Sequence, residues 1–174
     1  MPDASETLLT ASRFRVERIF EQRRDGTVAS REVVRHPGAV AVLPLLTGDR
    51  VCLIRNFRPA VNRTLIEVPA GTLEPNEPPL ITAARELHEE TGYQAERLIP
   101  LAEFYLSPGI LDERMHAFVA TGLTAGPPQR EPGERIENLE VDLSEALEMI
   151  ARGEIVDAKT IVTLLYFHRY RGPR

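Results

Sequence analysis

One cysteine, one lysine and the absence of any long apolar run set the first limits on this chain. Cys52 has no second thiol with which to close an internal disulfide. Its place in the apolar run RVCLI reads as a small core residue rather than a nucleophile or a metal ligand. No stretch approaches the roughly 18 apolar residues that cross a bilayer, and no basic start followed by an apolar block opens the chain, so a cytoplasmic protein without membrane contact is expected. Positive charge is also short, the formal net charge being −5. Such a chain lacks the basic face that displaces counterions from a nucleic-acid backbone, which argues against nucleic acid as a partner. A nucleotide-sized ligand stays open, because local arginines bind phosphate whatever the overall charge, and Lys159 is the only lysine beside many arginines.

With 174 residues, the chain is long enough for one domain with a full core and too short to favour two. Residues 1–11 are polar and are expected to be frayed. SRFRVERIF and TVASREVVR alternate at period two around Asp25-Gly26-Thr27 and predict a strand pair. AVAVLPLL and VCLIRNFR flank Thr47–Arg50 and predict a second hairpin whose first strand is deeply buried. From Pro78 to Thr91 the period changes: Leu80, Ala83, Ala84 and Leu87 make one helical stripe closed by Gly92. Strands are expected near Leu98–Leu106 and Arg114–Ala120. The Pro/Gly-dense GPPQREPGE is expected to be irregular, and two helices follow, one ending at Gly153 and one capped by Asp157. The economical fold class is α+β, or α/β/α in layers, around one core.

Within the predicted helix Glu86, Glu89 and Glu90 crowd the last turn. Like charges at i and i+4 repel by a few tenths of a kcal/mol, and anions at the negative end of the helix dipole lose ~0.3–1 kcal/mol each. Arg85 lies four residues before Glu89 and can neutralise one carboxylate. Oxygen-only ligands on a rigid helix suit a hard divalent cation, Mg²⁺ or Mn²⁺; the competing reading is a solvated acidic face.

The surrounding spacing decides between them. From Gly71 the chain reads G-x5-E-x7-R-E-L-x-E-E-x-G-Y, filled by Gly71, Glu77, Arg85, Glu86, Leu87, Glu89, Glu90, Gly92 and Tyr93. This resembles the box of the Nudix hydrolase family at every defining position. The resemblance implies an α/β/α sandwich with a mixed central sheet, here with an N-terminal antiparallel strand region. It implies Glu86 and Glu90 as ligands of Mg²⁺ or Mn²⁺ with Glu89 as a further one, and Glu77 and Arg85 bracing the loop as an ion pair.

Outside the box the chain resembles the ADP-ribose pyrophosphatase subgroup. LIEVPAG (Leu65–Gly71) is similar to that subgroup's strand entering the box, and Ser107-Pro108-Gly109 follow Gly92 at the subgroup's spacing. The resemblance implies that Glu67 shapes the ligand site and that the carbonyl of Ala70 completes a metal's coordination. Arg58 in NFRPA matches a phosphate-contacting arginine, or else serves as a surface ion-pair partner. Glu113 matches a glutamate near the terminal ribose, or else holds a turn. In the loop from Glu131 to Glu137, Glu134 aligns with a metal ligand, but Pro132 stands where a general base is expected. The base is therefore left open among Glu131, Glu134 and Glu137, with Glu131 preferred and Glu137 also readable as a solvent-facing strand residue. His36, His88, His116 and His168 have no mutual spacing that implies a metal site.

The activity so implied is hydrolysis of the diphosphate bond of ADP-ribose to AMP and ribose 5-phosphate, by water activated by divalent cations. GDP-mannose or another nucleotide sugar is the alternative substrate. A Nudix-fold sensor that binds without cleaving is a third reading, disfavoured because every box glutamate is present. Residues 1–174 are expected to form a single domain, with strands in 1–36 engaged in homodimerisation and 37–174 forming the catalytic unit. The segment 12–36 would then contribute to the partner's pocket.

Overall fold

A computed structural model describes residues 5–130, 133 and 135–170. At its centre β4 (Ala39–Pro44) is buried along its whole length. Ala39, Ala41 and Leu43 face one core, and Val40 and Val42 face another. A continuous apolar run is what a strand covered on both faces requires. β4 sits inside a four-stranded mixed sheet of order β7-β4-β9-β8, with β7 at Ala70–Thr72, β8 at Tyr93–Tyr105 and β9 at Arg114–Ala125. β4 runs parallel to β9, and the other pairs are antiparallel. β8 and β9 exceed their expected lengths because they pair with each other from Tyr93↔Ala125 to Tyr105↔Arg114. Pro100 is tolerated in β8 because that strand forms the sheet's edge.

The expected second hairpin is corrected. β5 (Arg50–Arg58) belongs to a separate antiparallel sheet of order β10-β5-β6, with β6 at Arg63–Glu67 and β10 at Ile136–Asp142. Only an isolated bridge, Leu45↔Val51, joins β4 to β5. Both edges of β4 are already taken, by β7 and β9, so the chain turns a corner between sheets instead of folding back in one.

One helix covers one face of the mixed sheet and two cover the other. α1 (Pro79–Thr91) packs Ala83 and Leu87 against Val40, Val42, Phe118 and Ala120. α2 (Leu143–Ala151) and α3 (Ala158–Tyr170) supply Met149, Leu164 and Phe167 to the opposite core. The fold is thus α+β, in α/β/α layers with a mixed central sheet. The apolar stripe of α1 is rotated from the expected one: Leu80 and Ala84 are exposed, and the buried line is Ala83, Leu87, Glu90 and Thr91. That rotation turns a glutamate inward at the helix end. Gly92 ends α1 at φ 81°, donating to the His88 carbonyl at 2.8 Å. Asp157 caps α3, its Oδ2 accepting from the Thr160 amide at 3.0 Å.

The chain opens with an antiparallel sheet, β1 (Ser5–Thr10), β2 (Arg15–Gln22) and β3 (Val28–Arg35). β2 and β3 match the expected pair, while β1 corrects the expectation of a frayed start. Its six residues are all exposed and carry no inside-outside alternation, so backbone pairing from Ser5↔Ile19 to Thr10↔Arg15 defines the strand. Residues 1–4 lie outside the described part. No described helix is long and apolar enough to cross a membrane.

Candidate active site

The C-terminal turn of α1 brings Glu86, Glu89 and Glu90 to the rim of a cavity of about 760 Å³. Arg85 lies among them. Its Nη1 donates to Glu86 Oε1 at 2.7 Å and to Glu89 Oε2 at 3.0 Å, and its Nη2 donates to Glu77 Oε2 at 3.0 Å. The expected Arg85–Glu77 brace is therefore in place, and one guanidinium serves two of the three crowded carboxylates as well. Hydrogen bonding with Arg85 holds the Glu77 carboxyl below the usual range, and Glu77 in turn raises the guanidinium's pKa.

Glu90 is 4% exposed, and its Oε2 accepts the Ala70 amide hydrogen at 2.9 Å. The backbone of β7 is equally close to Glu86: a Cβ at Gly71 would stand 1.9 Å from the Glu86 Cδ. A glycine is needed here for close approach and not for backbone conformation. The helix end has further compensation that the sequence did not reveal. Gln129 N–H donates to the Glu89 carbonyl at 2.9 Å, Arg130 Nε to that of Glu90 at 3.0 Å, and Asn138 Nδ2 to that of Thr91 at 2.9 Å. These donors satisfy carbonyls that a helix terminus leaves open, and Arg130 puts a cation at the negative end of the dipole.

A second wall is built on Arg58. Its Nε and Nη2 fork onto Glu67 at 2.8 and 2.6 Å. Glu67 is wholly buried and also accepts from Lys159 Nζ at 2.5 Å, while Lys159 donates to Asp157 Oδ1 at 2.9 Å. Burial pushes the Glu67 carboxyl up, but the Arg58 hydrogen bonds and the charges of Lys159 and Arg58 outweigh it and hold the group below its ordinary value. Arg58 and Lys159 line the cavity, and Glu67 stands behind them. Neither Lys159 nor Asp157 was singled out from the sequence as a site residue. The available signals were the lone lysine and the cap position of Asp157.

Glu113 lines the same cavity near His36, whose Nδ1 lies 3.7 Å from Glu113 Oε1. The β1–β2 turn of the same chain, Thr10 to Arg15, closes another side. Glu137 is not brought to this cavity. It is exposed on β10 opposite Arg55, with the neighbouring Asn138 reaching the end of α1. Glu131 and Glu134 lie outside the described residues. Cys52 stays out of the chemistry, burial pushing its thiol up to about 12.

With Arg85 between Glu86 and Glu89, no three acidic or imidazole groups among the described residues form a ready cation cage. The donor set still fits a hard divalent cation. Glu86, Glu89 and Glu90 offer carboxylate oxygen, and they share the cavity with the Ala70–Gly71 backbone.

Residues 35–164 match the family model described as NUDIX domain. The chain belongs to the Nudix hydrolase family. Gly71–Tyr93, the stretch that resembles the Nudix box, falls within the matched region, and β1 to β3 lie almost wholly ahead of it. This Nudix hydrolase is 43% identical over 144 residues to an ADP-ribose pyrophosphatase of Bacillus subtilis (strain 168), covering 82% of this chain and 78% of that one. It is 40% identical over 156 residues to a GDP-mannose pyrophosphatase of Escherichia coli, covering 83% and 81%. A crystal structure of an ADP compounds hydrolase superposes with a TM-score of 0.83 at 21% identity, over 96% of this chain and 91% of that one, and shows the shared fold.

Proposed function

We propose that this Nudix hydrolase cleaves the diphosphate bond of ADP-ribose, releasing AMP and ribose 5-phosphate. The observation that carries this reading is that Glu86, Glu89, Glu90, Arg58 and Glu113 line one cavity of about 760 Å³. That volume suits a nucleoside diphosphate bearing a second group. The name of the Bacillus subtilis relative supports the choice of substrate.

Mg²⁺ or Mn²⁺, when held by Glu86, Glu89, Glu90, the Ala70 carbonyl and Glu134, supplies positive charge that offsets the diphosphate and makes water more acidic. The chain's own residues do the rest. Arg58, its orientation set by the fork onto Glu67, turns its remaining N–H donors to a phosphate oxygen. Glu113 accepts a hydrogen bond from the group on the far phosphate. A loop carboxylate, Glu131 in preference to Glu134 or Glu137, takes the proton of the attacking water. The water oxygen bonds to phosphorus as the bond to the bridging oxygen breaks.

The Escherichia coli relative favours a second reading, GDP-mannose or another nucleotide sugar as substrate. A panel of ADP-ribose, GDP-mannose, NADH and diadenosine polyphosphates, run with Mg²⁺ and with Mn²⁺, separates the two. Under the first reading ADP-ribose leads in kcat/KM by at least about tenfold; a lead for GDP-mannose overturns it.

Homodimerisation through the N-terminal strands is part of the same proposal, with the N-terminal sheet contributing to the site. Its support is the family resemblance; the β1–β2 turn lines the cavity of its own chain, which supports a role of the sheet in the site without a partner. Deleting residues 1–34 should give an inactive monomer by sedimentation. A monomeric full chain refutes the dimer, and a fully active deletion refutes the role of the sheet.

A further inference from the structure

We infer that His36 is a specificity-determining residue, donating from Nε2 to a hydroxyl of the sugar on the far phosphate, with Glu113 beside it as acceptor. The inference rests on the nucleotide-sugar reading above.

The tautomer follows from the hydrogen bonds. The Gly38 amide donates to His36 Nδ1 at 3.1 Å, so Nδ1 presents a lone pair and the neutral ring carries its hydrogen on Nε2. Nδ1 therefore cannot donate to Glu113 at the same time, and the 3.7 Å approach is a neighbourhood rather than an ion pair. Nε2 has no hydrogen-bond partner among the described residues, and the side chain, 13% exposed, belongs to a residue that lines the cavity. The backbone that carries the ring is anchored. Asp112 Oδ1 accepts the His36 amide hydrogen at 2.7 Å, and Asp112 Oδ2 accepts from Arg35 Nη1 at 3.1 Å.

The position is set by the sheet. β4 and β9 run parallel with Ala39 opposite Met115, so the chain entering β4 at His36 and the chain entering β9 at Glu113 arrive side by side. Ala41 faces Ala70 of β7, so His36 stands five positions before Ala70's partner, at most about 17 Å at ~3.4 Å per residue, and both residues line the same cavity. A diphosphate lying beside Ala70 and the helix carboxylates leaves its attached group within reach of His36 and Glu113. An imidazole N–H next to a carboxylate is a donor beside an acceptor. That pairing suits a hydroxyl, whereas the Glu113 charge repels phosphate.

The test uses two side chains that each keep one ring nitrogen's reach. His36→Asn retains an acceptor near the Nδ1 place and so the Gly38 contact, while His36→Gln retains a donor near the Nε2 place. Each is assayed on ADP-ribose and on ADP β-methyl ester, which has the same nucleoside and diphosphate but no sugar beyond it. The expected result is an about three- to tenfold rise in KM for ADP-ribose in His36→Asn, the range of one neutral hydrogen bond. kcat should hold, KM for the methyl ester should be unchanged, and His36→Gln should restore most of the loss. An equal loss on both substrates, a loss in kcat alone, or no change on ADP-ribose overturns the inference. If the wild-type enzyme cleaves GDP-mannose and not ADP-ribose, the substrate reading fails on its own, and GDP-mannose against GDP β-methyl ester decides His36 by the same contrast.

Discussion

Lys159 Nζ lies 2.5 Å from Glu67 Oε2, an ion pair that joins α3 to the end of β6 across 92 positions of sequence. Both partners are buried, and Glu67 stands behind Arg58. The pair ties a cavity wall to a helix on the far side of the mixed sheet.

Lys159→Met should therefore destabilise the protein at pH 7, by less than the ~3–5 kcal/mol of leaving a buried charge wholly unpaired, because Arg58 keeps its fork on Glu67. The folded Glu67 carboxyl lies below its ordinary value of 4.5, so the pair's contribution is complete above that value and is lost as pH falls through the depressed one. Denaturant melts from pH 7 to pH 3 should show the wild-type advantage narrowing below pH 4.5. An advantage that stays constant over that range refutes the assignment.

Glu86→Gln and Glu90→Gln should each lower turnover by more than the roughly 10–100-fold typical of residues that only support a ligand, and should weaken divalent binding. The fold should hold. Arg85 keeps Glu77 and Glu89 in the first variant, in the second the side-chain amide oxygen can still accept from the Ala70 N–H, and in both relief of like-charge repulsion offsets part of any loss. Turnover within threefold of wild type would rule these residues out as ligands.

Gly71→Ala separates close approach from backbone freedom. The added Cβ would press on the Glu86 carboxylate, which is the movable end of a long side chain, so the fold should survive while that carboxylate is displaced. Activity should fall on the order of 100-fold, as for a misplacement of about 1 Å. Unchanged activity with an unchanged melting temperature contradicts the placement of Glu86.

Among the loop glutamates, Glu134→Gln should raise the cation concentration needed for half-maximal rate. Glu131→Gln should lower kcat by roughly 10²–10⁴ with little change in cation dependence. Glu137→Gln should stay near wild type, since Glu137 is exposed and outside the cavity. A large kcat loss in Glu137→Gln alone would move the base to β10.

Local pattern explains what the sequence disclosed. The box residues from Gly71 to Tyr93 are contiguous, so their spacing shows both the helix and its chemistry, and the Glu77–Arg85 brace follows from it. The run Ala39–Pro44 announces a strand buried on both faces. What was not legible depends on partners distant in sequence. Nothing near Val51 says that β7 and β9 have taken both edges of β4. β1 has no buried side to produce an alternation. The inward turn of Glu90 depends on an amide 20 positions away, at Ala70, and Lys159 looks like any lysine until Glu67 is beside it.

The single buried amine also gives the molecule an internal reporter. With Lys159 the chain's one lysine, and that one held at the cavity wall by Glu67 and Asp157, reagents that acylate lysine side chains meet a single, largely screened target on the described surface. Acylation at this position requires Lys159 to leave Glu67 and Asp157 at the cavity wall, so its rate reports on the integrity of the wall that orients Arg58.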